Sequence, residues 1–355
     1  MKLQKTLCVL IALALMLSGC TRSGSDAGRS VTEEAEYTED VFAMDTFMSL
    51  RAYGPAAEAS VREASEELRR LDSLFSVTNQ ESEVYAANRS AGTPQMVSED
   101  TMAVLEQALS ISGQTGGAMD ITIYPVLRTW GFTTGSYQVP DAEAISAMLP
   151  YVDDSRIVLD KGKGTVQLPE GAEMDLGALA KGYAGDKLAD MLQTAGVSSA
   201  LLNMGGSTIR TLGRKPDGSK WRIAVQDPED PEGYAGVIEL GAGAVNTSGG
   251  YERYFEEAGE IYWHILDPDT GYPARSGLAS VTVLTDQACL GDGLSTALFV
   301  MGLDRAVEFW RARDDFEFVL IDENGDLYVS QGAADAFTPM GRYASAKLTV
   351  ISRET

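Results

Sequence analysis

The sequence predicts an α+β fold of mixed strands and helices, preceded by a secretion-type leader and a flexible tether. Three observations carry this reading. Segments with helical spacing and runs of short strands are segregated, with little of the regular alternation that a doubly wound parallel sheet requires. From Ser199 to Val283 most segments read as short strands. Residues 21–40 have almost no large apolar side chains.

The leader comes first. Lys2 and Lys5 form a short basic region, and Leu7 to Leu17 is an unbroken apolar run. That run is too short for a mature membrane helix, which needs about 20 residues, and it suits a secretory core. Leu17-Ser18-Gly19-Cys20 follows at once. Small residues before a cysteine match a bacterial lipoprotein cleavage box. The expectation is a signal peptide over 1–19, with Cys20 carrying diacylglycerol and an N-acyl chain such as palmitate. Multiple chains give stable anchoring where one does not. The domain then lies outside the cytoplasm, lipid-anchored to a membrane. Residues 20–40, rich in Ser, Gly, Thr and Glu, read as the lipidated cysteine and a disordered tether. The folded domain is expected over 41–355.

Cysteine and charge fit this picture. With Cys8 removed and Cys20 lipidated, Cys289 is alone, and no intrachain disulfide can form. Removal of Lys2 and Lys5 takes the net charge from -24 to -26. Such a surface repels nucleic acid and anionic headgroups, so neither is an expected partner.

The elements follow in order. Val41 to Tyr53 reads as a strand. Val61, Ala64, Leu68, Leu71 and Phe75 mark a helix over Ala56 to Phe75. Ser98 and Asp141 read as N-caps of the next two helices. Leu176 to Ala195 reads as a helix with Asp175 as its cap. Short strands are expected at Ala200–Asn203, Thr208–Leu212, Trp221–Gln226, Gly236–Leu240, Ala244–Thr247, Ile261–Leu266 and Leu278–Leu284. Helices return at Asp292–Met301 and Asp304–Arg313, and strands at Phe316–Ile321, Leu327–Ser330 and Leu348–Ile351.

Four segments can carry chemistry. His264 is the only histidine and stands where a strand breaks into a Pro/Gly turn. That place suits acid/base work, although a lone histidine is commonly structural. One histidine rules out a multi-histidine zinc site. Asp292 and Thr296 are four apart, so both oxygens can leave one helix face. Hard oxygen donors of this kind suit magnesium; the plain alternative is Asp292 as a helix cap. Asp175 to Tyr183 is either a packing helix or an anion-binding helix start with Lys181 nearby. The glycine loops Asn203 to Ser207 and Asn246 to Tyr251 permit close backbone approach or simply tight turns. No dinucleotide fingerprint or P-loop is present, and Ser248 lacks a nucleophile elbow.

Together these segments resemble the ApbE family of FAD:protein FMN transferases. Ala43-Met44-Asp45-Thr46, Ala118 to Thr122 with Trp130-Gly131-Phe132, Asp175 to Tyr183, Asn203 to Ser207, Thr247 to Tyr254, His264 to Pro273 and Asp292 to Ala297 come in the family's order. The resemblance runs from about Val41 to Ile351 and implies an ApbE-like fold. It implies a magnesium ion held by the Ala178 carbonyl, Asp292 and Thr296. It implies FAD contacts at Met44, Ala118, Met119, Asp120, Asp175, Lys181 and Ile265, with His264 and Asp292 in catalysis. The implied reaction is protein flavinylation: FAD is split, FMN passes to a Ser or Thr of an exported flavoprotein such as a membrane redox-pump subunit, and AMP leaves. Two departures stand out. Met119 replaces the usual phenylalanine and Gly250 a common aspartate, so substrate fit is expected to change before chemistry does. The alternatives are a magnesium-dependent FAD pyrophosphatase and a non-catalytic FAD-binding lipoprotein.

Overall fold

A β-hairpin opens the described chain. The computed structural model describes residues 35–354; the signal peptide, Cys20 and most of the expected tether lie outside them. Glu36–Ala43 pairs antiparallel with Thr46–Tyr53 in unbroken register from Glu36↔Tyr53 to Ala43↔Thr46. The strand expected from Val41 to Tyr53 is therefore two strands, folded at Met44 and Asp45. Both turn residues have positive φ, 50° and 58°. A turn of this kind normally announces itself by Asn-Gly or Asp-Gly, and Met-Asp gives no such signal. The expected boundary at Val41 is corrected too, since Glu36–Asp40 are strand residues.

The hairpin edges a nine-stranded sheet. In spatial order it continues through Ser199–Met204, Thr208–Leu212, Gly243–Gly249, Leu278–Thr285, Phe316–Asp322, Leu327–Ser330 and Leu348–Ile351. Every neighbouring pair is antiparallel except the last, which is parallel. This is the α+β arrangement that segregated strands and helices predict.

Both faces of the sheet are covered. On one, Leu50, Leu202, Val281 and Val283 pack against Leu68 and Leu71 of the helix Ala57–Phe75, Leu188 of Ala180–Thr194 and Leu298 of Ala288–Arg311. On the other lies a three-stranded sheet of Trp221–Asp227, Asp230–Leu240 and Phe337–Pro339. Its Trp221, Ile223 and Ile238 pack with Ile209, Val245 and Val319. Strict alternation does this: Trp221, Ile223 and Val225 are buried while Arg222, Ala224 and Gln226 are exposed.

Two helices differ from expectation. The helix placed at Leu176 begins at Ala180, and Leu176–Leu179 forms a turn before it. The helix placed at Asp292 begins at Ala288, so Asp292 stands inside it and is not its cap. Gly302, with φ 77° and ψ 174°, breaks this helix before Leu303–Arg311. Among the described residues no helix is long and apolar enough to cross a membrane.

Candidate active site

A cleft of about 1150 Å³ gathers segments far apart in sequence. Ordinary small-molecule sites occupy roughly 300–1000 Å³, so this one has room for a dinucleotide. Met44, Ala118, Met119, Asp120, Asp175, Ala178, Lys181, His264, Ile265, Asp292 and Thr296 all line it. The structure thus brings together every expected site residue within the described chain; Cys20 falls outside it.

Asp292 is built into place. It is only 5% exposed. Its Oδ1 accepts from Thr208 Oγ1 at 2.7 Å and Asn246 Nδ2 at 3.4 Å. Its Oδ2 accepts the Gly182 N–H at 2.9 Å, and Lys181 Nζ stands 3.9 Å away. Gly182 has to be glycine, because a Cβ there would lie 2.3 Å from the Ala288 carbonyl oxygen. One turn beyond Asp292, Thr296 Oγ1 is 3.3 Å from Ser248 Oγ, which also bonds Ser295 Oγ at 2.8 Å. Ser248 therefore belongs to a hydroxyl cluster beside Thr296, and His264 engages a different group.

A divalent metal fits these donors. In a regular helix the Gly182 N–H would return to the carbonyl of Ala178; here it goes to Asp292, and the helix forms no bond to that carbonyl. Ala178, whose carbonyl takes no helix bond, lines the same cleft as the Asp292 carboxylate and the Thr296 hydroxyl. Among the described residues no three His, Cys, Asp or Glu side chains converge to hold a metal. The donor set is the mixed, hard-oxygen kind that suits magnesium with substrate phosphate completing its shell.

Asp175 takes a role other than the expected cap. Its Oδ1 accepts the Gly177 N–H at 2.5 Å, closing a turn ahead of the helix. Burial pushes its carboxyl up, while that bond, Arg253 and Lys181 oppose the rise. At the hairpin tip, Met44 N–H donates to Asp72 Oδ1 at 2.9 Å, pinning the turn. Left-handed backbone in two successive non-glycine residues costs energy, and such outliers cluster at functional sites.

His264 follows the strand Glu260–Trp263, and its Nδ1 is 3.2 Å from the Arg253 carbonyl. A carbonyl only accepts, so Nδ1 carries the proton and Nε2 is left as an acceptor. Burial, then Arg253 and Lys181, push the imidazole down to about 4, against the Arg253 bond. Glu252 also lines the cleft. Burial pushes its carboxyl up to about 7, Lys181 opposing and Asp292 reinforcing. Solvent reaches both side chains through the open cleft, yet they stand deep among protein atoms, and the shifts follow that depth.

Sequence reasoning missed Glu252, Thr208 and Asn246. The latter two are fully buried polar residues on strands, a signal that only pairing and burial reveal. The two departures are also explained locally. Met119 is buried in the cleft wall, its Sδ 3.5 Å from where a Cβ on Gly293 would stand. At Gly250 a Cβ would lie 2.9 Å from the Trp263 ring, so aspartate there requires the indole to move.

A largely antiparallel sheet that gathers polar side chains around a deep cleft defines an enzyme-type site. The chain belongs to the ApbE family, whose sequence profile matches residues 44–320. It is 34% identical over 276 residues to a FAD:protein FMN transferase of Klebsiella pneumoniae, covering 77% of this chain and 85% of that one. It is 30% identical over 345 residues to one from Haemophilus influenzae, covering 93% and 96%. Among solved structures, the ApbE protein of Thermotoga maritima superposes with a TM-score of 0.79 at 32% identity, covering 84% of this chain and 98% of that one. The flavin transferase ApbE of Vibrio cholerae gives 0.73 at 27%, covering 88% and 98%.

Proposed function

We propose that this chain transfers the FMN half of FAD to a Ser or Thr hydroxyl of an exported flavoprotein, with magnesium, releasing AMP. The observation that carries this reading is the Asp292 carboxylate, held by three donors in a cleft that Thr296 and Ala178 also line. Ala178, Asp292 and Thr296 would hold the metal. A divalent cation bound there supplies charge withdrawal from the pyrophosphate and orients it for in-line displacement.

The chain's own groups do the rest. Lys181 adds positive charge on the same side. The glycine loop at Gly205 and Gly206, with φ of 82° and 84°, brings backbone close to the ligand. The acceptor oxygen attacks the phosphorus on the riboflavin side, and the bond to the AMP oxygen breaks. The acceptor proton goes to His264 Nε2, which is free and unprotonated at neutral pH. Glu252 is the other group placed to accept it.

Solvent access through the open cleft supports a second reading, in which water replaces the acceptor and FMN is released. Incubation with FAD, magnesium and a candidate flavoprotein separates the two by covalent fluorescence on a gel against free FMN. Asp292→Ala should lower either rate by about a thousandfold or more; full activity of that variant in EDTA would remove the metal assignment. Attachment through a lipidated Cys20 remains part of the proposal, tested by radiolabelled palmitate incorporation in wild type against Cys20→Ala.

A further inference from the structure

The outer face of the opening hairpin carries two aromatic side chains that the core does not use. Phe42 and Phe47 are cross-strand partners one step from the turn. They are 60% and 77% exposed, and their rings meet edge to face at 5.1 Å. Single exposed apolar residues are common and need no explanation; an edge-to-face pair next to a turn that lines the cleft is different. The turn joining the two strands, Met44 and Asp45, lines that cleft together with Thr46. Thr46 lies tight against the glycine loop, since a Cβ on Gly205 would stand 2.4 Å from its Cγ2. The bond from Met44 to Asp72 and the left-handed turn hold the tip stiff. One side of the tip therefore lines the cleft, and the neighbouring outer face presents aromatic surface to solvent.

We propose that Phe42 and Phe47 form the docking anchor for the acceptor protein, taking an apolar side chain of the segment that delivers its hydroxyl to the cleft. The inference rests on the transfer reading, because only transfer to a protein requires a macromolecule at the mouth. Charge selects between a protein and a bilayer. Exposed Asp40 and Asp45 flank the pair, Glu36 further along the same face is matched by Arg51 at 3.3 Å, and the chain carries a net charge of -24. Anionic headgroups are repelled by such a rim, whereas a neutral or basic acceptor segment is complementary to it. Aromatic anchors ringed by polar residues are also where protein interfaces concentrate their binding energy.

The test is steady-state transfer from FAD to a purified flavoprotein domain that the wild-type chain modifies, comparing F42S/F47S and F42L/F47L. In the serine pair the acceptor KM should rise about tenfold or more, with FAD affinity and acceptor-free FAD cleavage unchanged. The leucine pair keeps the apolar area and should keep most of the acceptor affinity. An unchanged KM in the serine pair overturns the proposal. So does an equal loss in the leucine pair, which would assign the effect to hairpin shape, or a parallel loss of FAD affinity, which would place the rings in the nucleotide site. Loss of binding to phosphatidylcholine–phosphatidylglycerol vesicles with KM unchanged would assign the face to the membrane instead. A wild-type chain that modifies no protein would overturn the transfer reading, and this surface with it.

Discussion

Asp292 Oδ1 accepts from both Thr208 and Asn246, while Oδ2 accepts the Gly182 N–H and stands 3.9 Å from Lys181 Nζ. Groups that orient a metal-binding carboxylate typically cost about 10–100-fold in metal affinity when removed. Thr208→Val should therefore weaken magnesium binding by about that factor, and Thr208→Ser should restore it; calorimetry on the FAD-loaded protein reads both. The choice of base is open to a pH profile. A base works when unprotonated, so its rate limb rises through its own value. His264, held down to about 4 by burial, gives a profile that is flat across the neutral range. Glu252, pushed up to about 7, gives one that rises through neutrality. A flat wild-type profile with loss of rate in His264→Ala assigns the proton to His264. Beside the cleft, Asp154 N–H donates to Asp120 Oδ2 at 3.0 Å, and burial, then Asp120, push the Asp154 carboxyl up to about 7. The folded state holds that proton more tightly than the unfolded one. Its stabilising effect is full at acid pH and is lost as pH rises through about 7. Thermal midpoints at about pH 5 and about pH 8 should thus differ less in Asp154→Asn than in wild type.

At the scale of elements, two helices meet at a glycine. Gly182 lies against the Ala288 carbonyl, so Gly182→Ala forces the helices Ala180–Thr194 and Ala288–Arg311 apart. The cost is about 1–3 kcal/mol, read as a lower denaturation midpoint, with magnesium affinity falling because the Gly182 N–H also fixes Asp292. Elements governed by local pattern were legible in the sequence. Thr208–Leu212, Leu327–Ser330 and Leu348–Ile351 occur with the expected ends, and Ser98 and Asp141 cap their helices as expected. Elements governed by distant partners were not. Asp175 carries the chemistry of a cap but closes a turn at Gly177, and the helix starts only at Ala180. The Met44–Asp45 turn is fixed by Asp72, 28 residues away, so nothing in its neighbourhood announces it.

In the molecule as a whole, the sheet brings cleft residues of neighbouring strands together, Asn203, Ile209 and Ser248 among them. The family's motif order made that convergence legible; the support around it was not, because Thr208 and Asn246 gain their roles from strand pairing and burial, and Glu252 from the loop that carries it into the cleft. The net charge of -24 sets a global repulsion that counter-ions screen over about 10 Å at 0.1 M salt. The thermal midpoint should accordingly rise between low and physiological ionic strength. We propose that this cleft moves FMN onto a protein, with Asp292 among the residues that would hold the metal. Intact mass of a candidate acceptor after incubation with the full chain, FAD and magnesium tests it most directly. The expected result is an added FMN less one water, with AMP released, and no added mass with Asp292→Ala or EDTA. An acceptor of unchanged mass beside intact FAD, or the same adduct formed by Asp292→Ala in EDTA, would contradict it.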